Sequence, residues 1–142
     1  MDKAAVYSFM KGCRYAVVSS LPETGAPQSA VVGIAVTPDL EIVFDTVNFS
    51  RKYRNLTARP SCSAVVGGGV DGERTVQYEG LAREPQGAEL QHYQDAYFAA
   101  WPDGRARTVW PGIAYFVLRP EWIRYSDFKQ NPALIEEIRF AL

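Results

Sequence analysis

The sequence predicts a mainly β protein with a few α-helices, in which the strands form an antiparallel barrel. About six apolar or alternating runs follow one another at short spacing, and turns that contain glycine or proline separate them. The run at 75–83 alternates clearly, because Val76 and Tyr78 fall on one face and Gln77 falls on the other. Few helical patterns lie between the runs, so the pattern favours an antiparallel barrel.

The predicted strands lie at residues 14–20, 28–36, 41–46, 61–67 and 75–83, and the runs at 113–118 and 122–125 form either one long final strand or a bent pair. Short turns join the first three, which indicates an antiparallel meander. The run at 28–36 is almost continuously apolar, which is typical of a strand buried on both faces. Arg119-Pro120 predicts a kink or bulge in the last strand, because proline cannot donate to a strand ladder.

The predicted helices lie at residues 2–11, 50–59 and 86–100, and a short C-terminal helix follows Pro132. In the third helix Leu90, Tyr93 and Tyr97 recur at helical spacing and form an apolar stripe. Residues 101–112, which include two prolines, are predicted as a loop.

Length and composition indicate one globular domain that spans residues 1–142 and buries a full core. The chain is 47% apolar and 22% charged, and its net charge of −1 argues against a nucleic-acid-binding protein. No apolar run approaches the ~18 residues needed to cross a membrane, and the polar start does not resemble a signal peptide. We therefore expect a cytoplasmic protein with no membrane partner, in which Cys13 and Cys62 are reduced.

The most informative segment is 50–56, which opens the second predicted helix directly after a strand. Ser50 is a good N-cap residue, but Arg51, Lys52 and Arg54 crowd the positive end of the helix dipole. Each such cation costs about 0.3–1 kcal/mol at an exposed helix start. A bound anion would reverse this cost, and a phosphate is the obvious candidate. The alternative is a solvated helix start that is rich in basic residues.

Other segments have two interpretations each. Asp45 and Thr46 either bind the edge of a ligand or cap the following loop. The aromatic side chains near the C-terminal half either stack on a planar ligand or pack in a core or dimer interface; they are Trp101, Trp110, Trp122, Tyr115 and Tyr125. The glycines at 67–72 predict a hairpin turn through Asp71-Gly72, since they lack the Lys-Ser/Thr of a P-loop.

The sequence contains no complete set of side chains for nucleophilic or metal catalysis. Its one histidine, His92, is predicted to be structural on the amphipathic third helix. A Ser/His/Asp set, a Cys/His set and a zinc site are therefore not supported. What remains is chemistry carried by a cofactor, or no chemistry.

The order of these motifs resembles the pyridoxamine 5′-phosphate oxidase-like, FMN-binding split-barrel family over nearly the whole chain. The resemblance rests on the strand at 28–36, the segment Ile42-Val43-Phe44-Asp45-Thr46, and Ser50-Arg51-Lys52 followed by Asn55-Leu56. The segments 77–82 and 115–128 add to it. True pyridoxamine phosphate oxidases end in a substrate motif rich in tryptophan and arginine or histidine. This chain ends differently, so it resembles a small member with another substrate.

The resemblance implies a six-stranded split barrel that forms a homodimer with two FMN molecules at the subunit interface. Ser50, Arg51 and Lys52 would hold the FMN phosphate. The flavin ring and ribityl chain would lie along four residues of the second strand, Ser29, Ala30, Val31 and Val32. Asp45 and Thr46 would contact the ring side or the ribityl hydroxyls. Thr75 and Gln77 would reach the flavin from the second subunit.

Three functions remain open on this resemblance. The first is an FMN-dependent oxidoreductase that transfers a hydride or electrons to or from a small molecule. The second is a reductase of the same fold that uses a deazaflavin, whose phosphate and polyanionic tail would suit Arg54, Arg105 and Arg107. The third is a flavin-binding stress or regulatory protein without turnover.

Overall fold

The computed structural model describes residues 2–69 and 72–141, and its main feature is one curled antiparallel sheet that forms a half-barrel. The strands are β1 (Tyr15–Ser20), β2 (Gln28–Gly33), β3 (Ala35–Val36), β4 (Ile42–Val47), β5 (Ser61–Gly67), β6 (Arg74–Arg83), β7 (Ile113–Asp127) and β8 (Leu134–Arg139). Their order in the sheet is β2-β1-β5-β6-β7-β4-β3, and β8 also pairs with β7. The predicted mainly β, antiparallel fold is confirmed.

Strand β7 organises the sheet, because it pairs with β6, β4 and β8 along different parts of its length. The barrel interior behind it is a continuous apolar core that includes the fully buried Phe44, Tyr78, Phe116 and Ile123. The buried hydroxyl of Tyr78 donates to the carbonyl oxygens of Leu40 (2.8 Å) and Leu118 (2.9 Å). This satisfies a polar atom that would otherwise cost free energy in the core.

Three α-helices and one 3-10 helix surround the sheet: α1 (Lys3–Lys11), α2 (Arg51–Ala58), α3 (Gly87–Ala100) and the 3-10 helix (Pro102–Val109). The buried Val6 and Met10 of α1 belong to the barrel core. Helix α3 packs Tyr93 and Tyr97 against a second apolar cluster on the other side of β4 and β7. The predicted loop at 101–112 is wrong over its middle part, which winds into the 3-10 helix.

The segment at 28–36 is not one strand buried on both faces, as predicted, but two strands that separate at Ile34. Strand β2 pairs with β1, whereas β3 pairs with β4, so the chain changes partners at this point. Val32 points into the core, but Val31 is 67% exposed on the outer face. An apolar run alone does not distinguish two buried faces from one buried face and one apolar outer face.

The predicted C-terminal helix after Pro132 is also wrong, since Leu134–Arg139 forms β8. Its partner is the second half of β7, where Ile138 lies opposite Ile123 and Glu137 lies opposite Arg124. Without β8 this edge of β7 would leave backbone amide and carbonyl groups unpaired. Tertiary pairing therefore overrides the weak helical pattern of a six-residue segment.

The predicted irregularity at Arg119-Pro120 is confirmed as a register shift between β6 and β7, opposite Glu79 and Gly80. A Cβ atom on Gly80 would lie 2.3 Å from the carbonyl oxygen of Arg119, so only glycine fits this close approach. The predicted turn at Asp71-Gly72 falls partly outside the described residues. In the described part of the chain no helix is both long and apolar enough to cross a membrane.

Candidate anion-binding and cofactor site

The start of α2 is capped as the sequence predicts. Ser50 has extended backbone angles, and its Oγ accepts a hydrogen bond from the amide of Tyr53 at 3.2 Å. The same Oγ lies 3.0 Å from Oγ1 of Thr46, near the end of β4. This contact joins the strand end to the helix start, and so it sets where the free amides of the first helical turn lie.

A pocket of about 120 Å³ lies between the start of α2 and strands β1 and β2. Its lining consists of Val18, Ser20, Gln28, Ser29, Ala30, Arg51 and Lys52. The structure thus brings two predicted flavin residues of β2 together with the two predicted phosphate ligands. Pockets for drug-sized ligands measure about 300–1,000 Å³, so this one has the size of a small anionic group.

Lys52 is the electrostatically unusual residue of this pocket. Partial burial lowers the pKa of its ammonium group, and the negative charge of Asp45 opposes that effect only in part. Within the described residues neither Arg51 nor Lys52 forms an ion pair. A bound anion would supply the missing negative charge to a partly desolvated cation.

Asn55 holds α2 against the two strands that line the pocket. It is 6% exposed, and its Nδ2 donates to Oγ of Ser20 (3.0 Å) and Oε1 of Gln28 (2.9 Å). The sequence alone indicated no site role for Asn55 beyond the motif that contains it. The available signal was an asparagine inside a helix, where this residue type is unfavourable unless its side chain has a partner.

Asp45 is engaged by neighbouring side chains rather than free. Its Oδ1 accepts from the hydroxyl of Tyr97 (3.1 Å), and its Oδ2 accepts from Nε of Arg107 (2.9 Å). Arg107 also donates to Oδ2 of Asp103 (3.0 Å) and to the Tyr97 hydroxyl (3.1 Å). The hydrogen bond that Arg107 donates to Asp45 is the main cause that raises the pKa of Arg107. Arg107, which the sequence suggested for the ligand, thus links the 3-10 helix to β4.

The other predicted flavin residues lie further from the pocket within one chain. Thr75 and Gln77 are on β6, and strands β1 and β5 separate them from β2. Three strand spacings correspond to roughly 14 Å. Thr75 and Gln77 therefore lie far from Ser29 of the same chain. Residues that contact the flavin of a second subunit are expected to lie far from their own chain's pocket in this way.

An apolar surface patch covers the outer face of β2, β1 and β5. It contains Tyr15, Val17, Val31 and Val65, which are 57%, 39%, 67% and 48% exposed. Val17 is the register partner of both Val31 and Val65, so three of these side chains are direct neighbours. Contiguous exposed apolar surface of this kind marks interaction sites. We call this surface the outer valine patch.

The tryptophans have different environments. Trp101 is anchored, because its Nε1 donates to the carbonyl oxygen of Ile34 at 2.9 Å and its ring lies on Gly33. Trp122 donates to Glu137, whereas Trp110 is 52% exposed. Tyr115 and Tyr125 are both buried. Of the five aromatic candidates, Trp110 is the one that presents most of its ring to a ligand.

Cysteine and histidine residues show no catalytic arrangement. Cys13 and Cys62 form no disulfide, as predicted, and burial is the main cause that raises the pKa of Cys62 to about 12. A thiol with so high a pKa is a poor nucleophile at neutral pH. His92 is exposed and packs edge-on against Tyr93. The described residues contain no cluster of three or more side chains suited to a metal ion.

Comparison with known proteins adds sequence and fold similarity to this geometry. The family model described as pyridoxamine 5′-phosphate oxidase matches residues 2–127, whereas a search of curated protein sequences gave no match. The structure of a heme binding protein from Mycobacterium smegmatis has a TM-score of 0.79 and 17% identity over 96% of this chain. This chain spans only 56% of that protein's length.

Two further solved structures have the same fold. A pyridoxamine 5′-phosphate oxidase-related, FMN binding protein from Nostoc punctiforme has a TM-score of 0.67 and 12% identity, covering 99% of this chain and 93% of its own. HutZ, the heme storage protein from Vibrio cholerae, has a TM-score of 0.71 and 11% identity, covering 82% of this chain and 88% of its own. At such identities the similarity establishes the split-barrel fold alone.

Proposed function

Because this chain belongs to the pyridoxamine 5′-phosphate oxidase family, of which some structural relatives bind FMN and others heme, we propose that it is an FMN-binding oxidoreductase. The bound flavin would accept or donate a hydride or electrons, and a small molecule would be the partner in that transfer. The single observation that carries the proposal is the pocket at the start of α2, where Arg51 and the partly desolvated Lys52 form no ion pair with any described residue.

The residues of this pocket fit a phosphate group. Arg51 and Lys52 provide charge, and the Ser50 cap leaves amides of the first helical turn available for phosphate oxygens. The pocket volume of about 120 Å³ suits the phosphate and leaves the rest of FMN to lie along β2. In this proposal Ser29, Ala30, Val31 and Val32 follow the ribityl chain and ring.

The polar groups at the end of β4 would orient the flavin rather than react with it. Thr46 is 8% exposed and shares a hydrogen bond with Ser50, so it positions the phosphate-binding turn. In this proposal Asp45 stays paired with Arg107, so any contact between Asp45 and the ligand involves that ion pair. That pairing offsets the negative charge which a free carboxylate would place near an electron-rich ring.

We propose a homodimer, in which the second subunit covers the outer valine patch and supplies Thr75 and Gln77 to the flavin. Burying exposed valine side chains provides a hydrophobic driving force for association. The separation of Thr75 and Gln77 from the pocket within one chain supports their use in the other subunit's site. The dimer is therefore part of the proposed cofactor site.

The visible spectrum of the purified protein tests the cofactor. Bound FMN predicts a yellow protein with two visible bands, which persist through gel filtration. The double variant R51A/K52A should lose flavin while it keeps its fold, and K3A/R105A removes two cations elsewhere as a matched control. Stoichiometric flavin in R51A/K52A would show that the phosphate assignment is wrong, and a heme spectrum would show that FMN is the wrong cofactor.

A second candidate, a deazaflavin reductase, is favoured by a cavity that continues from the phosphate pocket. This cavity of about 400 Å³ is lined by Arg51, Arg54 and Arg59, together with Pro22, Glu23, Gln28, Asn55 and Ala58. Two arginines in addition to the phosphate ligand Arg51, namely Arg54 and Arg59, suit a cofactor with a polyanionic tail. The variant R54A/R59A should weaken deazaflavin binding and leave FMN binding unchanged if both share the first pocket. Tight uptake of deazaflavin by colourless protein would favour this candidate.

A flavin-binding protein without turnover is distinguished by reduction kinetics. The FMN-loaded protein is mixed with nicotinamide cofactors, and the flavin absorbance is followed with and without small-molecule acceptors. An oxidoreductase predicts loss of the visible bands and their return with an acceptor. Flavin that stays oxidised with every donor tested would favour a stress or regulatory role instead.

A further inference from the structure

A second cavity lies away from the phosphate pocket, between α1 and the ends of β5 and β6. Its volume is about 810 Å³, within the range of small-molecule sites. It is lined by Ala5, Ser8, Phe9, Gly12, Cys13, Arg14, Tyr15, Gly67, Gly68, Gly69 and Arg74. Tyr15 and Ser20 mark opposite ends of β1, which places the two pockets about 17 Å apart along the strand.

Two arginines dominate the charge of this cavity. Within the described residues neither Arg14 nor Arg74 forms an ion pair, and no described lining residue is acidic. Three other arginines, Arg83, Arg107 and Arg124, do pair with carboxylates. Among the described residues, the wall of the cavity therefore carries a net positive charge that no ion pair balances.

Aromatic rings hold both guanidinium groups in place. The guanidinium of Arg14 lies 3.9 Å from the ring centroid of Trp101, and that of Arg74 lies 4.9 Å from the ring centroid of Phe9. A stacked guanidinium keeps its N–H donors at its edge, where they remain available to a ligand. Arg14 uses one donor on the carbonyl oxygen of Ala100 at 3.4 Å. Both side chains are thus pre-positioned, and their fork geometry matches a carboxylate or phosphate.

The wall beside Arg74 is close-packed backbone. A Cβ atom on Gly67, whose φ is +97°, would lie 2.6 Å from the carbonyl oxygen of Arg74 and 2.9 Å from the ring of Phe9. Glycine therefore allows the β5 end to approach the ring that supports Arg74. Phe9 is in turn fixed by an edge-on contact with Tyr125, at 5.5 Å between ring centroids.

From this geometry we propose that the cavity binds a small organic anion, in which a carboxylate or phosphate is joined to an apolar body. Arg14 and Arg74 bind the anionic group, while Phe9 contacts the apolar body. The site is separate from the phosphate pocket and does not depend on the identity of the cofactor.

Binding of benzoate and of phenyl phosphate to the R51A/K52A protein tests this inference. That background removes the cations of the phosphate pocket, so any remaining saturable binding reports another site. Isothermal titration should show one site per chain, and the preferred probe identifies the anionic group. Adding R14Q and R74Q should weaken binding at least about tenfold, because hydrogen bonds to charged groups are lost.

Arg105 provides the matched control. Its guanidinium lies 4.9 Å from the ring centroid of Phe98 and forms no ion pair among the described residues, but it does not line the cavity. R105Q should leave both affinities unchanged. No saturable binding of either probe to R51A/K52A, or undiminished binding after R14Q and R74Q are added, would overturn the inference.

Amide chemical shifts provide a readout that does not require the arginine variants to fold. Titration of labelled R51A/K52A protein should shift the resonances of Gly12, Gly67 and Gly68 and the Nε–H signals of Arg14 and Arg74. Shifts confined to residues outside this cavity would show that the anion binds elsewhere. Flavin binding to the same variant is measured without the anion probes. It therefore tests the proposed function separately from this inference.

Discussion

The side-chain amide of Asn55 lies 3.0 Å from the hydroxyl oxygen of Ser20 and joins the helix of the phosphate pocket to the strand behind it. The same amide also donates to Gln28, the first residue of β2. One buried side chain therefore holds together the three elements that line the pocket. The position of Arg51 and Lys52 relative to β2 depends on this contact.

Replacing Asn55 with alanine should lower stability and loosen the pocket. Loss of the two hydrogen bonds, with partners left in a buried region, should reduce the free energy of unfolding by about 1–3 kcal/mol. Urea denaturation measures this change, and flavin titration should show weaker binding. T57A is the control on the same helix, because the exposed Thr57 hydroxyl bonds only to carbonyl oxygens of its own helix. Equal effects of N55A and T57A would contradict the bridging role of Asn55.

Lys52 should give the protein a specific pH dependence without ligand. Burial lowers its pKa below the ordinary lysine value of 10.5, so the folded protein releases this proton at lower pH than the unfolded chain. The unfolded state then binds more protons, and stability relative to K52M should increase as pH rises towards 10.5. Urea denaturation of both proteins across this range measures the difference. A difference that is independent of pH would mean that Lys52 is not desolvated.

The ion pair between Asp45 and Arg107 should contribute more than a surface pair. The side chains are only 15% and 20% exposed, and D45A or R107A should each cost about 2 kcal/mol through lost charged hydrogen bonds. A double-mutant cycle should give a coupling of about 1–3 kcal/mol. The exposed pair Arg124–Glu137 is the comparison, and its coupling should be clearly smaller because solvent screens both charges. Equal couplings would show that Asp45 is not specially held.

Gly33 should not tolerate a larger residue. An added Cβ would lie 2.7 Å from Cζ2 of Trp101, so G33A should displace the indole ring and cost about 1–3 kcal/mol. Thermal unfolding measures the loss, and a change in near-ultraviolet circular dichroism reports the ring. Gly69 is the control, since nothing lies within 4 Å of its added Cβ and its φ is not positive. Unchanged stability in G33A would show that Trp101 moves freely.

Local patterns in the sequence predicted most of the strands and helices. The start of α2 at Arg51, its Ser50 cap and the irregularity at Pro120 are all confirmed, because they depend on residues that are neighbours in the chain. Strand β8 was predicted as a helix because its conformation does not depend on neighbouring residues. Residues 134–139 have no strong preference of their own, and the open edge of β7 decides their conformation.

Long-range contacts also decided the environment of each candidate residue. The sequence indicated that Asp45 and Arg107 were candidates for a ligand, but not that they pair with each other, since 62 positions separate them. It indicated an apolar run at 28–36, but not that Val31 faces outwards. Such facts depend on which strand pairs with which, and pairing between distant residues has no local signature.

What the sequence by itself determined is the chemistry of the site: a capped helix start with cations where acids are preferred, in a chain without other catalytic sets. Capping, dipole and charge act within one turn, so they can be recognised from neighbouring residues. Only the tertiary structure decided the rest. It placed Arg51 and Lys52 against β2, partly desolvated Lys52, neutralised Asp45 with Arg107 and left the valines of the outer patch exposed. These properties come from packing between distant segments.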